Sequence, residues 1–280
     1  MPTRSADNTS SSQSTSSSQS TSSNQHTRVQ AQFGKSASSY LTSSIHAKGD
    51  ELQVMLELIA PVSDLDVLDV ATGAGHTALT FAEAGANVIA TDITPEMLEV
   101  TRQHAQDKGL SVDVQPAAAE HLPFADASFD VVTCRIAAHH FADVSAFVHE
   151  AVRVLRPTGK LLIVDNISPE NATLAAHMND LEKRRDPSHA RALSVLEWLQ
   201  IASNAALDCM YVSRWQRRKH FTTWCDRMHM AAADKQALER DILQLDSHIK
   251  RYFGVGDDAS TVTTLNHEVA LLVFARGFSH

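Results

Sequence analysis

Positive charge is in short supply in this sequence: 24 lysines and arginines face 33 aspartates and glutamates, a net charge of −9 with histidine neutral. That balance removes any global electrostatic attraction to nucleic acid or to an anionic membrane surface. Cysteine is scarcer still. Cys134, Cys209 and Cys225 are too few and too scattered along 280 residues for a disulfide framework or a zinc site, and the expected setting is reducing and cytoplasmic. No apolar run approaches the roughly 18 residues of a membrane span. The N-terminus lacks the apolar core of a secretory signal; Arg4, Arg28 and its many serines resemble a transit peptide loosely, but Asp7 and the missing amphipathic stripe oppose that. The 15 histidines include no HExxH pair and no cysteine–histidine set at ligand spacing, so no metal is expected. What remains, 43% hydrophobic and 20% charged residues, is the composition of an ordinary soluble domain.

From Thr9 to Ser23 every residue is Ser, Thr or Gln. Such a segment has no apolar surface to set against its ordering entropy, and residues 1–28 are expected to form a disordered tail. From His46 to Ala60, Leu52, Met55, Leu56, Leu58 and Ile59 recur at helical spacing up to Pro61. Strand-like runs then alternate with helical ones. Strands are expected at Leu65–Ala71, Asn87–Thr91, Ser111–Gln115, Phe129–Arg135 and Lys160–Ile167, with helices at His76–Ala84, from Pro95 to Lys108, and at Val144–Leu155. This is the pattern of βαβ units and of a parallel sheet covered on both faces. Beyond Ser168, helices are expected at 170–184, 190–205 and 233–252, and strands near 207–220 and 268–276.

The central motif is Asp69-Val70-Ala71-Thr72-Gly73-Ala74-Gly75-His76, a strand running into two glycines and a helix, followed 23 residues after Asp69 by a second strand ending in Asp92. The glycines permit a sharp turn and a close approach of backbone to ligand, and a carboxylate in the place of Asp92 can accept both hydroxyls of a ribose. An adenosine-bearing ligand follows. Gly73 to Ala78 also fits the dinucleotide fingerprint, so a nicotinamide-dependent oxidoreductase is the alternative. Asp69 weighs against it, because a carboxylate beside a pyrophosphate is repulsive whereas one beside a cationic amino acid or sulfonium is not. The other reading of Asp69 is that it caps the turn.

These residues closely resemble class I S-adenosylmethionine-dependent methyltransferases of the UbiE-type group, most of all the YcgJ-like proteins, over roughly 30–276. The motifs occur in order: Gln32-Phe33-Gly34 with Tyr40, Ser43, His46 and Ala47; the glycine turn; Asp92; Ala119-Glu120-His121-Leu122-Pro123-Phe124 with Ser128-Phe129-Asp130; Cys134-Arg135-Ile136-Ala137-Ala138-His139-His140-Phe141; and Arg153-Val154-Leu155-Arg156-Pro157-Thr158-Gly159-Lys160, with Arg185-Asp186-Pro187-Ser188-His189 later. The resemblance implies a doubly wound, mostly parallel seven-stranded α/β sheet with an N-terminal helical lid. It divides 29–280 into lid helices (29–60), a cofactor-binding core (61–169) and a substrate-selecting part (170–280). It implies S-adenosyl-L-methionine as cofactor and S-adenosyl-L-homocysteine as product, held by Tyr40, His46, Asp69, Ala71, Thr72, Gly73, Gly75, Asp92, Ile93, Met97, Ala119, Glu120 and Arg135. The chain departs from the family at Ala118, where an acidic residue is usual, which moves the adenine contact to the backbone of Ala119 and Glu120. It also lacks the Arg-Asn motif of the quinone-methylating members.

His139 and His140, after the fourth strand, are the candidate general bases, with Asp165 on the fifth strand to orient one of them; similar His and Asp positions occur in sugar O-methylating family members. The alternative is packing beneath the loop. Arg135 reads either as a ligand contact or as half of a structural ion pair. Trp198, Trp215, Trp224, Met228 and Met230 are either pocket-lining or core, and the basic stretch Arg214-Trp215-Gln216-Arg217-Arg218-Lys219-His220 is either a nucleic-acid patch or, more simply, a strand with alternating exposed charges. The expected partner is a small-molecule methyl acceptor, with no nucleic acid and no membrane, for a monomer or homodimer. A non-catalytic S-adenosylmethionine-binding protein is the remaining rival.

Overall fold

The computed structural model describes residues 22–34, 50–258 and 260–277. Strands β1 (Asp66–Val70), β2 (Asn87–Asp92), β3 (Asp113–Pro116), β4 (Phe129–Arg135) and β5 (Leu155–Ile167) join β6 (Leu207–His220) and β8 (Val262–Arg276) in the order β3-β2-β1-β4-β5-β8-β6. The first five are parallel; β8 runs antiparallel to β5 and to β6. A two-residue strand, β7 (Gly256–Asp257), pairs with β8 and makes the sheet eight-stranded where seven were expected.

Alternation along the strands fills both faces. On one face Leu68, Val132, Cys134 and Ile163 pack with Phe147 and Ala151 of α5 (Val144–Val154) and Trp198 of α7 (Val195–Asn204). On the other, Val67, Val131, Leu162 and Val269 pack with Met55 of α2 (Asp50–Ile59), Leu79 and Phe81 of α3 (His76–Glu83) and Ala105 of α4 (Pro95–Lys108). Helix α6 (Ala172–Arg185) and, from the insert, α8 (Phe221–Asp226) and α9 (Ala232–Gln244) add a small third cluster around Trp224, Leu238 and Ile242, while Ile249 of α10 (Ser247–Tyr252) packs with Leu174 and Met178 of α6 in a fourth. The helix expected over 233–252 is divided at Leu245, whose extended ψ of 147° ends α9, while the Asp246 carboxylate accepts from His248 N and starts α10. The basic stretch lies on β6, where residues alternate between exposed and half-buried. No helix among the described residues is long and apolar enough to cross a membrane.

The tail expected over 1–28 overlaps a helix at its far end. Helix α1 spans 22–34, so the tail boundary expected at residue 28 falls inside a helix. Polar contacts anchor it: the buried Gln25 amide donates to His140 O (2.9 Å) and Ser188 O (2.6 Å), and Gln30 donates to Ile93 O (2.8 Å). Hydropathy does not register such anchors.

Candidate active site

At the carboxyl ends of β1, β2 and β4 lies a cavity of about 920 Å³, counting its open mouth. The turn after β1 forms its floor. Thr72 N donates to Thr91 O (2.8 Å), which ties the turn to β2, and Gly73 and Gly75 take φ of +57° and +81°. A Cβ at Gly73 would meet no atom within 4 Å, leaving open space beside the backbone. At Gly75 a Cβ would sit 2.7 Å from Thr101 Cγ2 and 2.9 Å from Leu79 Cδ1. Gly75→Ala is therefore expected to cost about 1–3 kcal/mol of stability, read from urea midpoints, through its left-handed backbone and overpacking together. Two further residues on the wall, Ala71 and Ile136, hold φ of +53° and +55° without being glycine. Such strain concentrates at functional sites.

Asp92 lies on the wall, 7% exposed. Its Oδ2 accepts from Gly73 N (3.0 Å) and its Oδ1 from Thr94 N (2.8 Å), and burial raises its pKa against these hydrogen bonds. A carboxylate offers about four lone-pair positions, so it retains capacity for ligand hydroxyls. Asp69 is placed otherwise. It is 1% exposed and absent from the wall; Thr72 Oγ1 donates to its Oδ2 and Thr133 Oγ1 to its Oδ1, both at 2.6 Å. Burial raises its pKa to about 6, with the two threonines opposing. Asp69 thus organises the turn from beneath.

Of the residues expected at the cofactor, Ala71, Thr72, Gly73, Asp92, Ile93, Met97, Ala119, Glu120 and Arg135 line the cavity; Gly75 supports it from behind, and Tyr40, His46, Ser43 and Ala47 lie outside the described residues. Arg135 forms the expected ion pair, at 2.9 Å with the buried Glu51, and also lines the cavity. Sequence reasoning missed Gln25, His26 and Val29. His26 and Val29 line the cavity with Phe33 from α1, and His26 Nε2 lies 3.2 Å from Glu120 Oε2. The 26-29-33 spacing, one side of a helix, was the available signal. Trp198 and Trp224 are core residues.

Behind His140, which lines the cavity, is a buried polar cluster. His139 Nδ1 lies 2.5 Å from Asp165 Oδ1, while its backbone N donates to Asp165 Oδ2 (2.9 Å). Burial lowers the His139 pKa, but the charge and hydrogen bond of Asp165 outweigh that and raise it. His140 lies with its ring 4.2 Å from that of His139; its Nδ1 donates to Ser188 O (3.1 Å), and burial followed by the charge of His139 pushes it down to about 4. His189 completes the cluster, 5.5 Å from His139, with Nε2 at 2.8 Å from Asn179 Oδ1. Asp165 and Ser188–His189 come from separate elements.

A parallel sheet with a glycine turn after β1, an acidic end to β2 and a lid over both defines the class I methyltransferase architecture. The methyltransferase domain family model matches residues 68–163, and the chain belongs to the S-adenosylmethionine-dependent methyltransferases of this class. Within it, the chain is 40% identical over 199 residues to the uncharacterized methyltransferase YcgJ of Bacillus subtilis, covering 71% of this chain and 79% of that one. The crystal structure of YcgJ superposes with a TM-score of 0.79 at 33% identity over 82% of this chain and 99% of YcgJ. BH2331 from Bacillus halodurans superposes with a TM-score of 0.80 at 35% identity, covering 82% of this chain and all of the other. A demethylmenaquinone methyltransferase of Deinococcus radiodurans is 39% identical over 112 residues, 39% of this chain and 46% of its own.

Proposed function

We propose that this enzyme methylates a small-molecule acceptor, with S-adenosylmethionine held in the cavity beneath α1 and a proton taken from the acceptor by the His139–Asp165 pair. The observation that carries the cofactor reading is the buried Asp92 carboxylate on the wall beside the open backbone of Gly73. Asp92 would accept the ribose hydroxyls, Ile93, Met97 and Phe141 would flank the base, and Ala119 and Glu120 would meet its edge. The bound cofactor supplies a methyl group already activated on a sulfonium. The protein's part is alignment, which contributes on the order of 7–11 kcal/mol in well-oriented systems, and exclusion of water by α1.

His139 carries the proton because Asp165 fixes its tautomer: Nδ1–H points at the carboxylate, leaving the lone pair on Nε2. Among the described residues the His139 side chain makes its hydrogen bond through Nδ1 alone. His140, with its lowered pKa, stays neutral beside it. Calorimetry tests the cofactor site directly. S-adenosylhomocysteine is expected to bind and NAD not to, and Asp92→Ala is expected to weaken binding at least about ten-fold, as loss of charge-assisted hydrogen bonds does. Tight NAD binding with none of S-adenosylhomocysteine would sink the cofactor assignment.

A further inference from the structure

The basic stretch on β6 is not absorbed by the cofactor site. A second cavity, about 1110 Å³ counting its open mouth, lies between α2 and β6, with Glu51, Tyr211, Trp215, Arg217 and Lys219 on its walls. It meets the cofactor cavity at one partition. Arg135 lines the first cavity and pairs with Glu51, which lines the second and pairs also with Arg217. One carboxylate therefore faces two guanidiniums, and Asp50, Arg218 and Lys219 also line the second cavity.

Lys219 stands two residues from Arg217 and so on the same face of β6. It is half-buried, and among the described residues no hydrogen bond or ion pair satisfies its amine. Burial pushes that amine down to about 8; the charge of Glu182 opposes the fall and those of Arg227, Arg217 and Arg185 add to it. Glu182 does not neutralise it, since its Oε2 is paired at 2.8 Å with Arg185. A half-buried cation with no ion-pair partner among the described residues attracts an anion delivered from outside. The apolar wall is aromatic: Tyr211, and Trp215 with the Arg217 guanidinium 5.7 Å above its ring.

We propose that this second cavity is the acceptor subsite, and that Lys219, with Arg217 beside it, binds the carboxylate or phosphate group of an acceptor with an aromatic or alkyl body. The assignment rests on the methyl-transfer reading of the adjoining cavity. Benzoate, phenyl phosphate and neutral benzamide are the probes, titrated calorimetrically into protein saturated with S-adenosylhomocysteine. At least one anion is expected to bind, benzamide at least ten-fold more weakly, and the tighter anion identifies the group recognised. Lys219→Met is expected to weaken that anion about ten-fold or more, Lys219→Arg to retain most of the affinity, and both to leave S-adenosylhomocysteine affinity unchanged. Should Lys219→Met fail to fold, as seen in thermal unfolding, Lys219→Gln is read in its place. The proposal is overturned if neither anion binds, if benzamide binds as tightly, or if the folded neutral variant binds the anion like the parent. Failure of S-adenosylhomocysteine to bind would instead remove the cofactor assignment, and anion titrations of the protein alone would still judge Lys219.

Discussion

Replacing His139 with alanine is expected to lower kcat by about 10²–10⁴-fold on an alcohol or phenol acceptor found by screening, the range that a positioned general base supplies. The loss should fall on kcat, with the KM for S-adenosylmethionine little changed, because His139 is not on the cofactor wall. Asp165→Asn is expected to lower kcat as well. It removes the charge that raises the His139 pKa and replaces an acceptor-only carboxylate, which takes both His139 Nδ1–H and His139 N–H. The pH profile separates this role from a structural one. A base must be unprotonated, so the rate rises with pH through the raised His139 pKa. In Asp165→Asn that rise should move to lower pH. A kcat within ten-fold of the parent in folded His139→Ala would leave alignment as the whole of catalysis and discard the base.

The second large effect is on stability in acid. His140 and His189 are held neutral in the fold, from 6.5 down to about 4 and about 3, chiefly by burial and next by the charge of His139. In the unfolded chain both take up a proton as pH falls through 6.5, while the native form does not until much lower. The unfolded state thus binds more protons between those limits, and stability falls as pH falls. For His140, a drop from 6.5 to about 4, at roughly 1.4 kcal/mol per tenfold change in proton affinity, is worth on the order of 3 kcal/mol. His139 acts in the opposite direction: its pKa is raised, so its contribution is present below 6.5 and is lost as pH rises through the raised value. Asp69 and Asp92, whose pKa values burial raises, also gain stability in acid, so the histidine contribution is read as the difference between parent and variant. Between pH 7 and pH 4.5 the urea midpoint of His140→Asn should fall less, or rise more, than that of the parent, which gives the two a different slope. An unchanged slope in the variant would mean that His140 protonates freely in the fold.

Most of the cofactor wall was legible because its signals are local in sequence. A strand–turn–helix puts Ala71 to Gly75 on one loop whatever surrounds it, and Asp92 ends the neighbouring strand by simple alternation of elements. The second cavity was less legible. Lys219 reads as one charge of a strand with alternating exposed charges, and only α2 packed beside β6 makes it part of a cavity wall. Asp69 was read with its strand correctly but with its carboxylate at the ligand, since nothing local says that Thr72 and Thr133 take both oxygens.

Helix α1, over 22–34, overlaps the tail expected over 1–28, because it has little apolar surface and is held through Gln25, His26 and Gln30 to backbone and carboxylate partners far away in sequence. By itself, then, the sequence determined the α/β class, the parallel order of β1 to β5, the glycine turn with its acidic partner, and the methyltransferase family. All of these follow from hydrophobic period and short-range backbone geometry. Only the tertiary structure decided that α1 lines the cavity, that His139 rather than His140 is paired with Asp165, and that Lys219 has no ion-pair partner among the described residues. These depend on burial and on which distant groups meet, and a one-dimensional pattern carries neither.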